Sequence, residues 1–389
     1  MLAQKLRPDD IQPAQKITHV QRRIYMDHNG STPTHPAAVT AMMPFLVSAF
    51  GNPSSGHWAS DPAKSAVEKA RASVARLIGA QPGEIVITSG ATEANNLAIK
   101  GCLPKPLGNH IITSAIEHDA VLKTVRAVKL KGVRVTFVPV DDYGIVDPEA
   151  VRRAITEQTT LISIMLANNE IGTVQPVAEV ADIAREYGIT VHTDAAQAIG
   201  KIPVNIDSLG VDLLSIAGHK FGAPNGVGSL FIRKGTRLSP LLHGGGHEGG
   251  RRAGTESALL AAGLGAAAEQ AAKKDNTRVR ALRDYFWNFL SQTFGKKVIL
   301  NGHPKNRVPN TLNVSFPGKI GAEILATMPH VAATTGSACH AGCIDMSHVL
   351  IAMGKSTENG LGTIRFSLGD GNTREEVDEV VASIAKAIA

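Results

Sequence analysis

Between residues 85 and 233 short runs of β-branched residues alternate with longer stretches of helical period, and this alternation restricts the folds open to the chain. The β-rich runs are Ile85–Thr88, His110–Thr113, Val133–Val140, Leu161–Leu166, Thr190–Thr193, Leu213–Ile216 and Gly228–Arg233. Helical stretches lie between several of them: Ala91–Lys100, Asp119–Lys129, Pro148–Glu157 and Pro176–Tyr187. Strands linked by helices pair mainly in parallel, and such sheets are covered on both faces. The expected fold class is therefore α/β, with functional groups gathered at the carboxyl ends of the strands.

Elements flanking this region set the domain limits. Ahead of it, Asp61 can cap a helix, Pro62 suits a first helical position, and Val67, Ala70, Val74 and Leu77 recur at helical spacing before Gly79. After about Gly250 the text turns to an Ala-rich helical region, Ser257–Lys274, then to strands near Val298–Leu300 and Asn310–Phe316, and ends in a helix over Glu375–Ala389. The expected division is a large domain over 25–270 and a smaller α+β domain made of 1–24 and 271–389.

Bulk properties exclude several classes of function. The longest apolar stretches, Leu161–Ala167 and Leu259–Ala268, are far shorter than the roughly 18 residues that a membrane span needs. The first 24 residues mix Lys5, Arg7, Lys16, Arg22 and Arg23 with Asp9 and Asp10 and lack an apolar run, which argues against a secretory signal. Three cysteines, Cys102, Cys339 and Cys343, are too few for a disulfide framework, so a reducing, cytoplasmic setting is expected. The net charge of +6 is spread along the chain; its densest run, Lys273–Arg283, reads as a solvated helix face. With only 4% aromatic residues to stack on bases, no nucleic-acid partner is expected.

Four segments carry candidate chemistry. Ala217-Gly218-His219-Lys220-Phe221-Gly222 follows an apolar run. A lysine in a Gly-rich loop at a strand end can form a Schiff base, its amine activated by burial, although a solvated loop lysine looks the same. Thr193-Asp194-Ala195-Ala196-Gln197 also ends a strand, where a carboxylate can hold a pyridinium nitrogen protonated or merely cap a helix. Thr88-Ser89-Gly90-Ala91-Thr92-Glu93 joins a strand to a helix, and the amides there suit one phosphate or an ordinary turn. No Gly-x-Gly-x-x-Gly stands at this junction, which disfavours a dinucleotide. In Glu117-His118 the imidazole can stack on a flat cofactor and move protons, or serve structure alone.

Taken in order, these segments resemble the cysteine desulfurases and selenocysteine lyases, pyridoxal-phosphate enzymes of the class V aminotransferase type. The resemblance runs from Tyr25-Met26-Asp27 through Gly51-Asn52-Pro53-Ser54-Ser55, Thr88–Asn96, Asn168-Asn169-Glu170-Ile171-Gly172, His192–Gln197, Gly218-His219-Lys220, His243–Thr255 and Gly336-Ser337-Ala338-Cys339 to Ile364-Arg365-Phe366-Ser367. It implies the aspartate-aminotransferase-like fold (fold type I), a mainly parallel mixed sheet plus a smaller α+β domain, and pyridoxal 5'-phosphate as cofactor.

By the same resemblance Lys220 binds the cofactor's aldehyde and moves the substrate's α-proton. Asp194 meets the ring nitrogen, Gln197 the phenolic oxygen, and His118 the ring face. Ala91, Thr92, Ser215 and His219 cradle the phosphate, and Thr255 reaches the phosphate of a neighbouring subunit, implying a homodimer. Arg365 grips the substrate α-carboxylate with help from Asn169. Cys339 supplies the thiolate that takes sulfur from L-cysteine, or selenium from L-selenocysteine, and leaves alanine; a sulfur-acceptor protein is a further expected partner.

Some residues depart from the pattern. Ala217 stands where relatives close to iron–sulfur assembly often carry serine, and His28-Asn29-Gly30-Ser31-Thr32-Pro33 differs from the aromatic-plus-Ala/Thr wording common at the site entrance. Cys343 has no assigned role. Two other classes compete with this reading: a zinc site built from His243, His247, Cys339, His340 and Cys343, whose spacing is a loose match, and a cofactor-free binding module, which has no chemical reason to keep Lys220, Asp194, His118, Arg365 and Cys339 together. A third alternative is transamination on the same fold.

Overall fold

The computed structural model describes residues 23–103, 109–335 and 345–388. Its centre is a seven-stranded sheet in the order 85–88, 228–232, 213–217, 190–194, 159–163, 110–114, 134–138. All neighbours are parallel except Gly228–Ile232, which runs antiparallel to both Ile85–Thr88 and Leu213–Ala217. The sheet is thus mainly parallel and mixed. The expected β-rich runs all form strands, some with shifted limits: Val133–Val140 contracts to Arg134–Val138, Leu161–Leu166 becomes Thr159–Ser163, and Leu213–Ile216 extends to Ala217.

Central strands such as Leu213–Ala217 and Gly228–Ile232 are buried at every residue, because both faces of the sheet are covered. One face packs against the helices Asp61–Ile78, Val177–Glu186 and Ala258–Ala271, with Val74, Ile162, Leu214 and Leu264 wholly buried between them. Under Ala91–Gly101 and Asp119–Lys129 on the other face lie Leu97, Val121, Val125 and Leu161. The helix expected from Asp61 is capped one residue earlier, at Ser60, and closes on Gly79 with φ 75°, a left-handed conformation that glycine adopts without strain.

A second core gathers Ile24, Met26, Phe286, Leu290, Leu312, Val314, Phe366 and Val381. It is built on a three-stranded antiparallel sheet, Thr363–Ser367, Thr311–Ser315 and Ile299–Asn301, and a parallel pair, Ile24–Tyr25 with Val331–Ala332. Thr277–Phe294 and Arg374–Ile388 supply its helices, and the Phe286 and Phe366 rings meet at 4.9 Å. Met26 belongs to this second core. The basic run Lys273–Arg283 does not lie wholly on a helix: Lys273–Asn276 form the turn before Thr277, where Asn276 Nδ2 donates to the carbonyls of Gly200 and Lys201 at 3.0 and 3.1 Å. No helix among the described residues is long and apolar enough to cross a membrane.

Candidate active site

The carboxyl ends of the parallel strands, the turn before Ala91 and the second sheet enclose a cavity of about 470 Å³. Ala91, Thr92, His118, Asn169, Asp194, Gln197, His219, Lys220 and Arg365, all expected in the site, line it. The first sheet delivers most of them. Arg365 comes from the middle of Thr363–Ser367 in the second, so the cavity lies between the two cores.

Lys220 ends the short turn that follows Leu213–Ala217. Its Nζ donates to the carbonyls of Asn29 and Gly30 at 2.6 and 2.7 Å. Burial, with Arg365 as a nearby like charge, pushes its pKa down from 10.5 to about 8, so a nucleophilic neutral amine is reached within the physiological range. Asp194 is 4% exposed; its Oδ1 accepts from Ala196 N at 2.9 Å and its Oδ2 from Asn95 Nδ2 at 2.7 Å. These donors fix the carboxylate plane and leave lone pairs for a partner in the cavity.

His118 caps the helix Asp119–Lys129: its Nδ1 accepts the Ala120 N–H at 3.1 Å, which puts the neutral ring's proton on Nε2. At the opposite wall Gly90, φ 149°, starts the helix Ala91–Gly101. The turn fits because Gly228 has no side chain: a Cβ there would come within 2.7 Å of Gly90 Cα. Ser89 N donates to Glu93 Oε2 at 2.8 Å, and Glu93 in turn pairs with Arg252 at 2.8 Å, which ties the loop carrying Thr255 to this helix start.

Arg365 donates from Nη1 to the Asn169 carbonyl at 2.9 Å and from Nη2 to Asp27 Oδ1 at 2.6 Å, while its buried Nε has no partner. The buried Asn169 Oδ1 is also without a partner. Two unsatisfied polar groups beside one cavity are groups that a polar ligand would satisfy.

Two expected residues lie elsewhere. Ser215 does not line the cavity: it is fully buried, and its hydroxyl lies 3.0 Å from Nε2 of His192, which is also bonded to Ser163 at 2.8 Å. The reason is position along the strand. Ser215 sits two residues, roughly 6.6 Å, below Ala217, and it is Ala217 that reaches the cavity wall. Thr255 is exposed and does not line the cavity of its own chain. Cys339 and Cys343 lie outside the described residues.

Three polar residues next to lining positions were given no role in the sequence. Asn29 is the hub of the cavity floor, accepting from Lys220 and Gln197 through its carbonyl and donating through Nδ2 to Thr311 Oγ1 and to the Asn169 carbonyl. Glu170 is pushed up to about 7 by burial and accepts from Ser347 Oγ at 2.5 Å. Glu117, fully buried and pushed up to about 8, accepts from Ser114 Oγ and Met165 N. The Asn29 signal was available as a departure in the sequence, but nothing in it gave a role.

The model of the aminotransferase class-V family matches residues 24–380. The chain belongs to the class-V aminotransferase family. This family member is 46% identical over 366 residues to the cysteine desulfurase IscS of Dictyoglomus turgidum, spanning 92% of this chain and 93% of that one. To the IscS of Methanosarcina thermophila it is 44% identical, over 96% of this chain and 94% of the other. Among solved structures it is similar to a NifS-like protein (TM-score 0.86, 37% identity, covering 94% and 98%) and to SspA in complex with cysteine (TM-score 0.80, 36% identity, 89% and 98%).

Class-V aminotransferases and cysteine desulfurases are pyridoxal-phosphate enzymes, and the residues of this family member fit that group. A buried amine of lowered pKa suits the aldehyde, a buried carboxylate with free lone pairs suits the ring nitrogen, and a glycine-led helix start suits the phosphate.

Proposed function

We propose that the chain is a pyridoxal-phosphate-dependent cysteine desulfurase that converts L-cysteine to L-alanine and takes the sulfur as a persulfide on Cys339. The observation that carries this reading is that Lys220, Asp194 and Arg365 line one cavity of about 470 Å³ in a chain 46% identical to a cysteine desulfurase. Alanine formation by the purified protein, with L-cysteine and L-selenocysteine supplied side by side, tests it. Alanine from cysteine is the expected result; no alanine from cysteine overturns the reading.

Lys220, Asp194, Gln197 and His118 would hold the cofactor, with Ala91, Thr92 and His219 at its phosphate. Pyridoxal phosphate, when bound, supplies an electron sink beside the substrate's α-carbon. Around it the chain's own groups divide the work. Arg365 binds the α-carboxylate: three of its five N–H donors are unused in the structure, and Nε–H is among them. Lys220, as a neutral amine, takes and returns the α-proton, a task its lowered pKa suits. The Cys339 thiolate attacks the substrate sulfur, a sulfur–sulfur bond forms, and the carbon–sulfur pair stays with the carbon, which a proton completes to alanine.

We take the protein to be a homodimer. Val47, Phe50 and Trp58 are 78%, 87% and 83% exposed in the single chain, an apolar surface that a second copy would cover. In the dimer Thr255, carried on the loop tied down by Arg252, is the group for the partner's phosphate. The two cores are read as a larger cofactor domain and a smaller domain that brings Arg365 and the Cys339 segment. A sulfur-acceptor protein then receives the persulfide.

Two expectations follow for this cavity. Arg365→Lys keeps the charge but loses the planar fork, so KM for L-cysteine should rise roughly 30-fold, about 2 kcal/mol of charge-assisted hydrogen bonding, with a smaller change in kcat; an unchanged KM in steady-state kinetics contradicts the assignment. The lowered Lys220 pKa means that the amine is increasingly neutral as pH rises. Cofactor uptake by the apo-protein, followed by visible absorbance, should therefore speed up with pH and level off above about 8, whereas a plateau reached only near 10.5 would indicate an ordinary lysine.

A further inference from the structure

Lys201 is a buried lysine, 8% exposed, one helical turn beyond Gln197, and the chemistry above gives it no part. Its Nζ donates to Asn29 Oδ1 at 2.8 Å and, at very short range, to Gln197 Oε1. Both acceptors are amide oxygens. No carboxylate pairs with it among the described residues, and the charged groups that act on it most, Lys220, Arg365 and Lys274, are all cations. Of these, Arg365 and Lys274 have their own carboxylates, Asp27 and Asp370, at 2.6 and 2.9 Å. An ammonium buried without a counter-charge is costly, and burial among these cations pushes the Lys201 pKa well below its ordinary value, so the amine serves here as a hydrogen-bond donor to two amide oxygens rather than as a fixed charge.

The geometry of Gln197 shows what the Lys201 amine achieves. With Oε1 turned to Lys201, Nε2 must face the other way; one of its hydrogens goes to the Asn29 carbonyl at 3.0 Å, and the second has no partner. Gln197 lines the active cavity. Were the amide reversed, an oxygen lone pair would point at the cavity, and the Asn29 carbonyl, which also holds Lys220 Nζ at 2.6 Å, would lose its donor.

We propose that Lys201 is a positioning residue: its amine locks the Gln197 amide with its N–H towards the cavity, so that the site favours an anionic oxygen on the bound cofactor's ring. This rests on the cofactor assignment above, and Lys201 acts through Gln197 without touching the ligand.

The test is a pH titration of the visible absorbance of the cofactor-loaded protein without substrate, in four forms: parent, Lys201→Met, Gln197→Ala and the double variant. An N–H donor that faces a group favours its deprotonated form, so releasing the Gln197 amide should raise the absorbance midpoint by about one pH unit. In the Gln197→Ala background the same replacement should move the midpoint by less than half as much, because the relay is already gone. A midpoint that does not move in Lys201→Met, or an equal shift in both backgrounds, overturns the proposal. Should Lys201→Met fail to fold, Lys201→Leu, which likewise has no donor, decides on the same criteria. A parent protein that takes up no cofactor band at all would instead sink the functional reading itself.

Discussion

Replacing Lys220 by alanine is expected to lower alanine formation by roughly 10⁴-fold, equivalent to about 5 kcal/mol of transition-state stabilisation. Two separate losses combine in this variant. The amine that captures the cofactor's aldehyde disappears, so borohydride treatment should no longer attach the cofactor to the protein. The base that moves the α-proton disappears with it, and the other buried lysine nearby, Lys201, is held one layer back on Asn29 Oδ1 and Gln197 Oε1. Folding should survive, because Lys220 contributes only two hydrogen bonds to backbone carbonyls and removing it relieves a desolvated amine. Turnover close to that of the parent protein, or a borohydride-stable adduct on the variant, would contradict the role.

Cys339→Ser should separate binding from sulfur transfer. A serine hydroxyl is a poor nucleophile towards sulfur and forms no persulfide, so alanine formation is expected to fall by roughly 10³-fold, about 4 kcal/mol. The cofactor's absorbance, its pH midpoint and its response to added L-cysteine should stay as in the parent, since the cavity is built from Lys220, Asp194, Gln197 and Arg365, none of which lies in the replaced segment. Full desulfuration in the variant would remove Cys339 from the mechanism.

How much of this was legible in the sequence depended on whether the signal was local. Strands were legible because a strand covered on both faces is a near-continuous apolar run: Ile85–Thr88 has the expected limits, and Leu213–Ala217 differs from expectation by one residue. Cavity-lining residues at strand ends and helix starts, such as Lys220, Asp194, His118 and Thr92, could be picked out as candidates because the motif and the structural junction coincide. Ser215 lies two residues short of the strand's end, where Ala217 reaches the cavity, and sequence alone does not show how far along a strand the cavity extends; the hydroxyl of Ser215 serves His192 instead. Strand Thr363–Ser367 carried a recognisable arginine, yet its place in a second sheet is set by pairing with Thr311–Ser315, some fifty residues away. Asn29 and Lys201 were out of reach for the same reason. Their roles lie in hydrogen bonds across 168 to 191 positions of sequence, which no spacing rule encodes.

Peptide mass spectrometry after a single turnover with L-cysteine, under conditions that preserve persulfides, tests the central claim most directly. The account predicts one extra sulfur on the peptide containing Cys339, in amount equal to the alanine formed, and none on the peptide containing Cys102, whose thiol burial pushes up to about 12. Alanine released with no sulfur on the Cys339 peptide, or the same sulfur on that peptide in the Lys220→Ala variant, would contradict it.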